Sequence, residues 1–167
     1  MLNMYKIDIK KQNDIETLEY CCKTMIPINI DYLLSDPELD DPIRGIYVFS
    51  NDDKNIIGCI FLSSLDYELS QIYKTVFNKY PEIDDNNVAY SVHKKYQKQG
   101  YGTEMLSIFL EFLNENHINY NFLVENHNIA SIRLLEKNNI FLTKPPENNY
   151  AGFNQSEVFF VNDKLTF

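Results

Sequence analysis

Tryptophan is absent, and glycine, histidine and cysteine are scarce at five, three and three residues. No apolar run approaches the roughly 18–20 residues of a membrane span, so no membrane association is expected. The opening residues, Met1-Leu2-Asn3-Met4-Tyr5-Lys6, lack the apolar core of a secretory leader, and the expected location is cytoplasmic. Cys21 and Cys22 are adjacent and make poor disulfide partners, while Cys59 stands apart, and no metal-ligand spacing occurs. All three read as small buried hydrophobes, with no metal expected. Basic residues are in deficit: 15 Lys and Arg face 24 Asp and Glu, a formal net charge of −9. Nucleic-acid binding wants a basic face and is not expected. The same charge is compatible with a cationic partner such as an amine, or simply with solubility.

Apolar residues are plentiful. At 167 residues, 44% hydrophobic and 14% aromatic, the chain suits one domain with a real core, residues 1–167. Tyr5, Ile7 and Ile9 alternate with charged residues as a first strand. A helix with Ile15, Leu18, Cys22 and Met25 at helical spacing follows, with Asn13 or Asp14 as its cap. Ile30–Leu34 reads as a second short helix, and the acidic run Pro37–Pro42 as a solvated loop or a lure for a cationic acceptor. Gly45–Ser50 and Ile56–Leu62 form a hairpin about the turn Asn51–Asn55. Over Tyr67–Tyr80, residues Leu69, Ile72, Tyr73, Val76, Phe77 and Tyr80 share a helical face. It suits core packing, a cover over a cleft, or a homodimer contact.

A strand over Asn87–Val92 then runs into Gln97-Lys98-Gln99-Gly100-Tyr101-Gly102-Thr103, which opens a helix whose apolar stripe is Met105, Leu106, Phe109, Leu110 and Leu113. Strand, tight glycine loop and helix N-terminus together make an anion site, because converging backbone N–H groups add to the positive end of the helix dipole. Lys94, Lys95 and Lys98 sit beside the loop in an otherwise acidic chain. A Walker A loop needs Gly-Lys-Ser/Thr, but Gly102 is followed by Thr103 and Glu104. A Rossmann loop needs a third glycine, but Met105 stands there. Downstream come a strand at Tyr120–Val124 and a helix capped by Asn128 with Ser131 three residues on. Asn139 is placed to take a left-handed turn. Lys144–Tyr150 reads as a loop, and Glu157–Val161 as a last strand.

The pattern Gln-x-x-Gly-x-Gly between strand and helix, followed by the block around Asn128, Glu136 and Lys137, resembles the GNAT superfamily of N-acetyltransferases over about residues 45–142. The resemblance implies an α/β (α+β) fold with a mostly antiparallel central sheet of about seven strands flanked by helices. It implies acetyl-CoA as cosubstrate, bound by Val92, His93, Gln97, Lys98, Gln99, Gly100, Tyr101, Gly102, Thr103, Asn128 and Ser131. It also implies a primary amine acceptor, either a small molecule or a peptide N-terminus, and an oxyanion donor at the backbone N–H of Val92 or His93. The family's first two helices line one side of the acceptor pocket. Its frequent glutamate base falls at Asn86 or Asn87, and its tyrosine acid at Leu135. The candidates for proton transfer are therefore Asp85, His93 and Tyr150, with Glu82, Asp84, Tyr120 or water as substitutes. Without a strong base, an α-amine of pKa about 7.7–8.0 is a better acceptor than a lysine ammonium near 10.4. A non-catalytic acyl-CoA-binding module is the alternative.

Overall fold

A computed structural model describes residues 1–66, 70, 71, 74, 85–125, 127–140 and 157–161. Its elements are β1 (Asn3–Lys6), α1 (Gln12–Thr24), α2 (Ile30–Leu34), β2 (Gly45–Ser50), β3 (Ile56–Ser64), β4 (Asn86–Val92), α3 (Tyr101–Glu115), β5 (Tyr120–Glu125), α4 (Ile129–Lys137) and β6 (Glu157–Val161), with 3-10 turns at Pro37–Asp40 and Lys94–Tyr96. The chain divides into two compact units, Met1–Ser63 with Ala89–Glu111 and Ser64–Val88 with Phe112–Phe167.

In the first unit the strands lie in the order β1-β2-β3-β4. β1 pairs antiparallel with β2 (Tyr5 opposite Val48), and β2 antiparallel with β3 (Val48 opposite Cys59). The first five residues of β2 are buried, as expected of a strand covered on both faces. On one face Ile46, Val48 and Cys59 join Leu18 and Cys21 of α1, Leu33 of α2, and Ile7 and Leu39 in one cluster. On the other face Tyr47 meets Phe109 of α3 edge-on at 5.0 Å. Gly58 lets α3 come close: a Cβ there would lie 2.6 Å from Ser91 O and 2.7 Å from Met105 Sδ.

In the second unit Asn86 and Asn87 of β4 run parallel to Tyr120 and Asn121 of β5, and β6 pairs antiparallel with β5. The Asn86 amide donates to Asn119 O at 2.9 Å. α4 is capped by Asn128, whose side chain accepts from Ser131 N at 3.2 Å. It ends on Asn139 at φ 60°, with Ile140 N returning to Leu135 O. Both ends of α4 are as its asparagines foretell.

Several expectations need correction. The described residues hold six strands, against the seven expected. α1 starts two or three residues early, with Lys11 as an N-cap that makes no side-chain bond; Asp14 instead accepts from Asp8 N at 2.9 Å. Its buried face carries Leu18 and Cys21 and leaves Cys22 half-buried, where Cys22 was expected in the core. The acidic run is a 3-10 turn, capped by Asp36 and anchored by buried Leu39, because a local carboxylate cap and one apolar anchor suffice to order four residues. The apolar face over Leu69–Tyr80, the carboxylates Glu82 and Asp84, and the loop Lys144–Tyr150 lie outside the described residues.

Candidate active site

The glycine loop folds as a nest. Lys98 and Gly100 take φ 61° and 89°, and Gly100 O accepts from Thr103 N and Glu104 N at 3.0 and 3.2 Å, starting α3. Among the described residues, no intramolecular acceptor meets the N–H groups of Lys98, Gln99, Gly100, Tyr101 and Gly102. Five consecutive unpaired donors at a helix start, with alternating left-handed backbone, are a site for an anion of several oxygens. Gly100 is exposed, and nothing lies within 4 Å of where its Cβ would be, so a ligand has access to the main chain. Lys94, Lys95 and Lys98 are exposed beside it. Glu104, in the first turn of α3, accepts from Leu2 N at 3.0 Å.

Upstream of the loop, His93 N donates to Ile57 O at 2.9 Å. The expectation that this N–H is free for an oxyanion is therefore corrected: it belongs to the sheet. Successive strand residues direct their N–H groups to opposite edges, so the Val92 amide points away from β3. The Val92 carbonyl, on that same edge, accepts from Gln97 Nε2 at 3.0 Å, so Gln97 braces the loop against the strand. The His93 ring stacks on Tyr20 of α1 (6.0 Å between centroids, 6° between planes) and leans on Tyr96 at 5.7 Å. Its Nδ1 accepts from Lys95 N at 3.2 Å. That contact engages one of the two ring nitrogens.

On the α1–α2 face of the first unit lies a cavity of about 320 Å³. Met25, Ile26, Pro27 and Ile28 of the α1–α2 connection form one side, with Leu33, Ile46, Cys59, Phe61, Ala89, Tyr90 and Ser91 around the rest. Ser91 Oγ donates to Met25 O at 3.0 Å and ties the connection to β4. A hydrogen bond with Cys21, and then burial, pushes the Cys59 thiol well above its ordinary value, so Cys59 offers no thiolate. No Asp, Glu, Lys, Arg or His lines the cavity among the described residues. Periodicity does not reveal such a site, since its walls come from four elements and the α1–α2 connection.

The family model described as "Acetyltransferase (GNAT) family" matches residues 13–139, a span that includes the glycine loop and the Asn128 cap. The chain belongs to the GNAT acetyltransferase family. Comparison with curated proteins gives no match. Solved structures share the GNAT fold at low identity. The ribosomal-protein-S18-alanine N-acetyltransferase of Escherichia coli superposes with a TM-score of 0.59 at 13% identity, covering 100% of both chains. The spermidine/spermine N-acetyltransferase SpeG of Vibrio cholerae gives 0.62 at 13%, covering 95% of this chain and 90% of that one. YncA of Salmonella typhimurium, solved with its cofactor acetyl-CoA, gives 0.61 at 15%, covering 96% and 91%.

Within this GNAT frame, Val92, His93 and Gln97 to Thr103 fall together in the first unit. Asn128 and Ser131 fall in the second, where each has a structural task at the head of α4. Asp85, 3% exposed, precedes β4 in the second unit, and Tyr150 lies outside the described residues. Tyr120 is buried, and that burial pushes its hydroxyl up to about 12, too weak an acid for ready proton donation near neutrality. Asn86, at the family's glutamate position, is spent on the Asn119 carbonyl.

Proposed function

We propose that this GNAT protein is an N-acetyltransferase that moves an acetyl group from acetyl-CoA to a primary amine by direct attack in a ternary complex. The observation that carries this reading is the row of unpaired amides from Lys98 to Gly102. Their number and spacing suit a diphosphate, as do the neighbouring lysines. Gln97 to Thr103 would hold that diphosphate. Bound there, acetyl-CoA supplies an acetyl thioester, whose carbonyl carbon bonds to the neutral amine while the C–S electron pair leaves on sulfur and the amine's proton passes to solvent. The Val92 amide, on the edge of β4 turned from β3, is our oxyanion donor, a contribution of up to about 3 kcal/mol. Asp85 and Tyr150 remain our candidates for relaying protons.

Among the described residues little deprotonates an ammonium, which favours an α-amine over a lysine. At pH 7 the ammonium costs about 4 kcal/mol to neutralise for a lysine and about 1 kcal/mol for an α-amine. Asn86, Asn87 and Leu135 at the family's base and acid positions also favour a second reading, a binding module without turnover. Thiol release from acetyl-CoA with a panel of amines decides between the two: turnover supports the enzyme, and binding without turnover supports the module.

A further inference from the structure

We infer that the amine acceptor carries an apolar side chain, and that the cavity between the α1–α2 connection and β4 holds it. The inference rests on the acetyltransferase reading and names its second substrate: a small hydrophobic primary amine, or a peptide whose first residue is apolar.

Three observations carry it. The lining is hydrocarbon, with Met25, Ile26, Ile28, Leu33, Ile46 and Phe61 as its bulk. Its Ser91 hydroxyl is already bonded to Met25 O. A polyammonium chain placed here would lose its hydration and gain no carboxylate, which is strongly unfavourable. Next, the nearby acidic run is occupied with its own turn. Asp36 caps Glu38 N, Asp41 accepts from Ile43 N and Arg44 N, Asp40 pairs with Lys10 at 3.0 Å, and Glu38 pairs with Arg44 at 3.7 Å. None of these carboxylates lines the cavity. Finally, the cavity and the nest serve different faces. The nest opens α3, which packs on the Tyr47 and Gly58 face of the sheet. The cavity lies on the Ile46 and Cys59 face. A pocket on the face away from the diphosphate cradle is placed for the second reactant. Its volume of about 320 Å³ is at the small end of ligand pockets and accommodates an apolar side chain.

The test is steady-state thiol release with acetyl-CoA and four amines: glycinamide, leucinamide, phenylalaninamide and spermidine. The first three share the α-amine and differ in the side chain. kcat/KM for leucinamide or phenylalaninamide is expected to exceed that for glycinamide at least tenfold, since each buried carbon contributes. Ala89 is exposed at the cavity wall, so Ala89→Phe fills the space without entering the core. It is expected to abolish the side-chain preference, raise KM for leucinamide and leave the acetyl-CoA Kd unchanged. Phe61→Ala is expected to move the preference toward phenylalaninamide. Equal rates for the three amides, or spermidine as the best acceptor, overturn the inference and leave the acetyltransferase reading standing. So does an Ala89→Phe variant that alters the choice between acetyl-CoA and hexanoyl-CoA while the amine preference persists, because the cavity would then hold the acyl chain. Absence of acetyl-CoA binding removes the underlying reading, and this inference with it.

Discussion

At Gly100 the backbone sits at φ 89° with open space around the missing side chain. Conformation, and not crowding, is what demands glycine there. A β-branched residue is strained in that region by about 1–3 kcal/mol, and relief of that strain turns the nest amides away from their common target. Gly100→Val is therefore expected to keep the fold and to weaken acetyl-CoA binding at least tenfold, read by competition with a fluorescent CoA analogue. At His93 the ring nitrogen facing Lys95 N is an acceptor already in use. His93→Phe keeps the stack on Tyr20 and Tyr96 but titrates nowhere. The rise of kcat/KM with pH is expected to be the same in wild type and His93→Phe, set by the acceptor amine near 7.7–8.0. Loss of that limb in the variant would identify His93 as the base.

At the scale of elements, the packing of α3 on β3 hangs on one missing side chain. Gly58→Ala pushes a methyl into Ser91 O and Met105 Sδ. It is expected to cost about 1–3 kcal/mol, measured by denaturant unfolding. α4 hangs on its cap, and Asn128→Ala is expected to cost about 1 kcal/mol in the same assay. Elements with strong local signals were legible before any coordinates: α2 and β2 fall on the residues read for them, and Asn139 takes the left-handed turn foreseen from its side chain. The start of α1 was not legible, because Asn13 and Asp14 both look like caps while Lys11 holds the position without a side-chain bond. Nor was the 3-10 turn, whose acidic sequence resembles a solvated loop until Leu39 is seen buried. The nest was legible because its glycines and flanking lysines are contiguous. The cavity was not, because Ile46, Phe61 and Ala89 meet only through strand pairing. The surroundings of His93 are not legible either, because its ring partners, Tyr20 and the Lys95 amide, come from the fold and not from residue type.

For the molecule as a whole, two buried phenols among the described residues contribute to the alkaline limit. Burial pushes Tyr47 and Tyr120 each up to about 12 from an ordinary value of 10.0, and Tyr47 also donates to Ile43 O. Both bind their protons more tightly folded than unfolded. Their contribution is thus fully present below pH 10 and lost as pH rises toward 12, by up to about 1.4 kcal/mol per pH unit for each group. Unfolding free energy is expected to fall between pH 10 and 12, with a shallower fall over that range in a Tyr47→Phe, Tyr120→Phe variant. An equal slope in that variant would assign the alkaline loss to other groups.

The central claim is that the amides from Lys98 to Gly102 hold the diphosphate of coenzyme A, and calorimetric titration of the purified protein with acetyl-CoA tests it most directly. Saturable one-site heat with micromolar affinity is expected for the wild type, and binding at least tenfold weaker in Gly100→Val. Absence of heat at millimolar acetyl-CoA, or equal affinity in the two proteins, would contradict it.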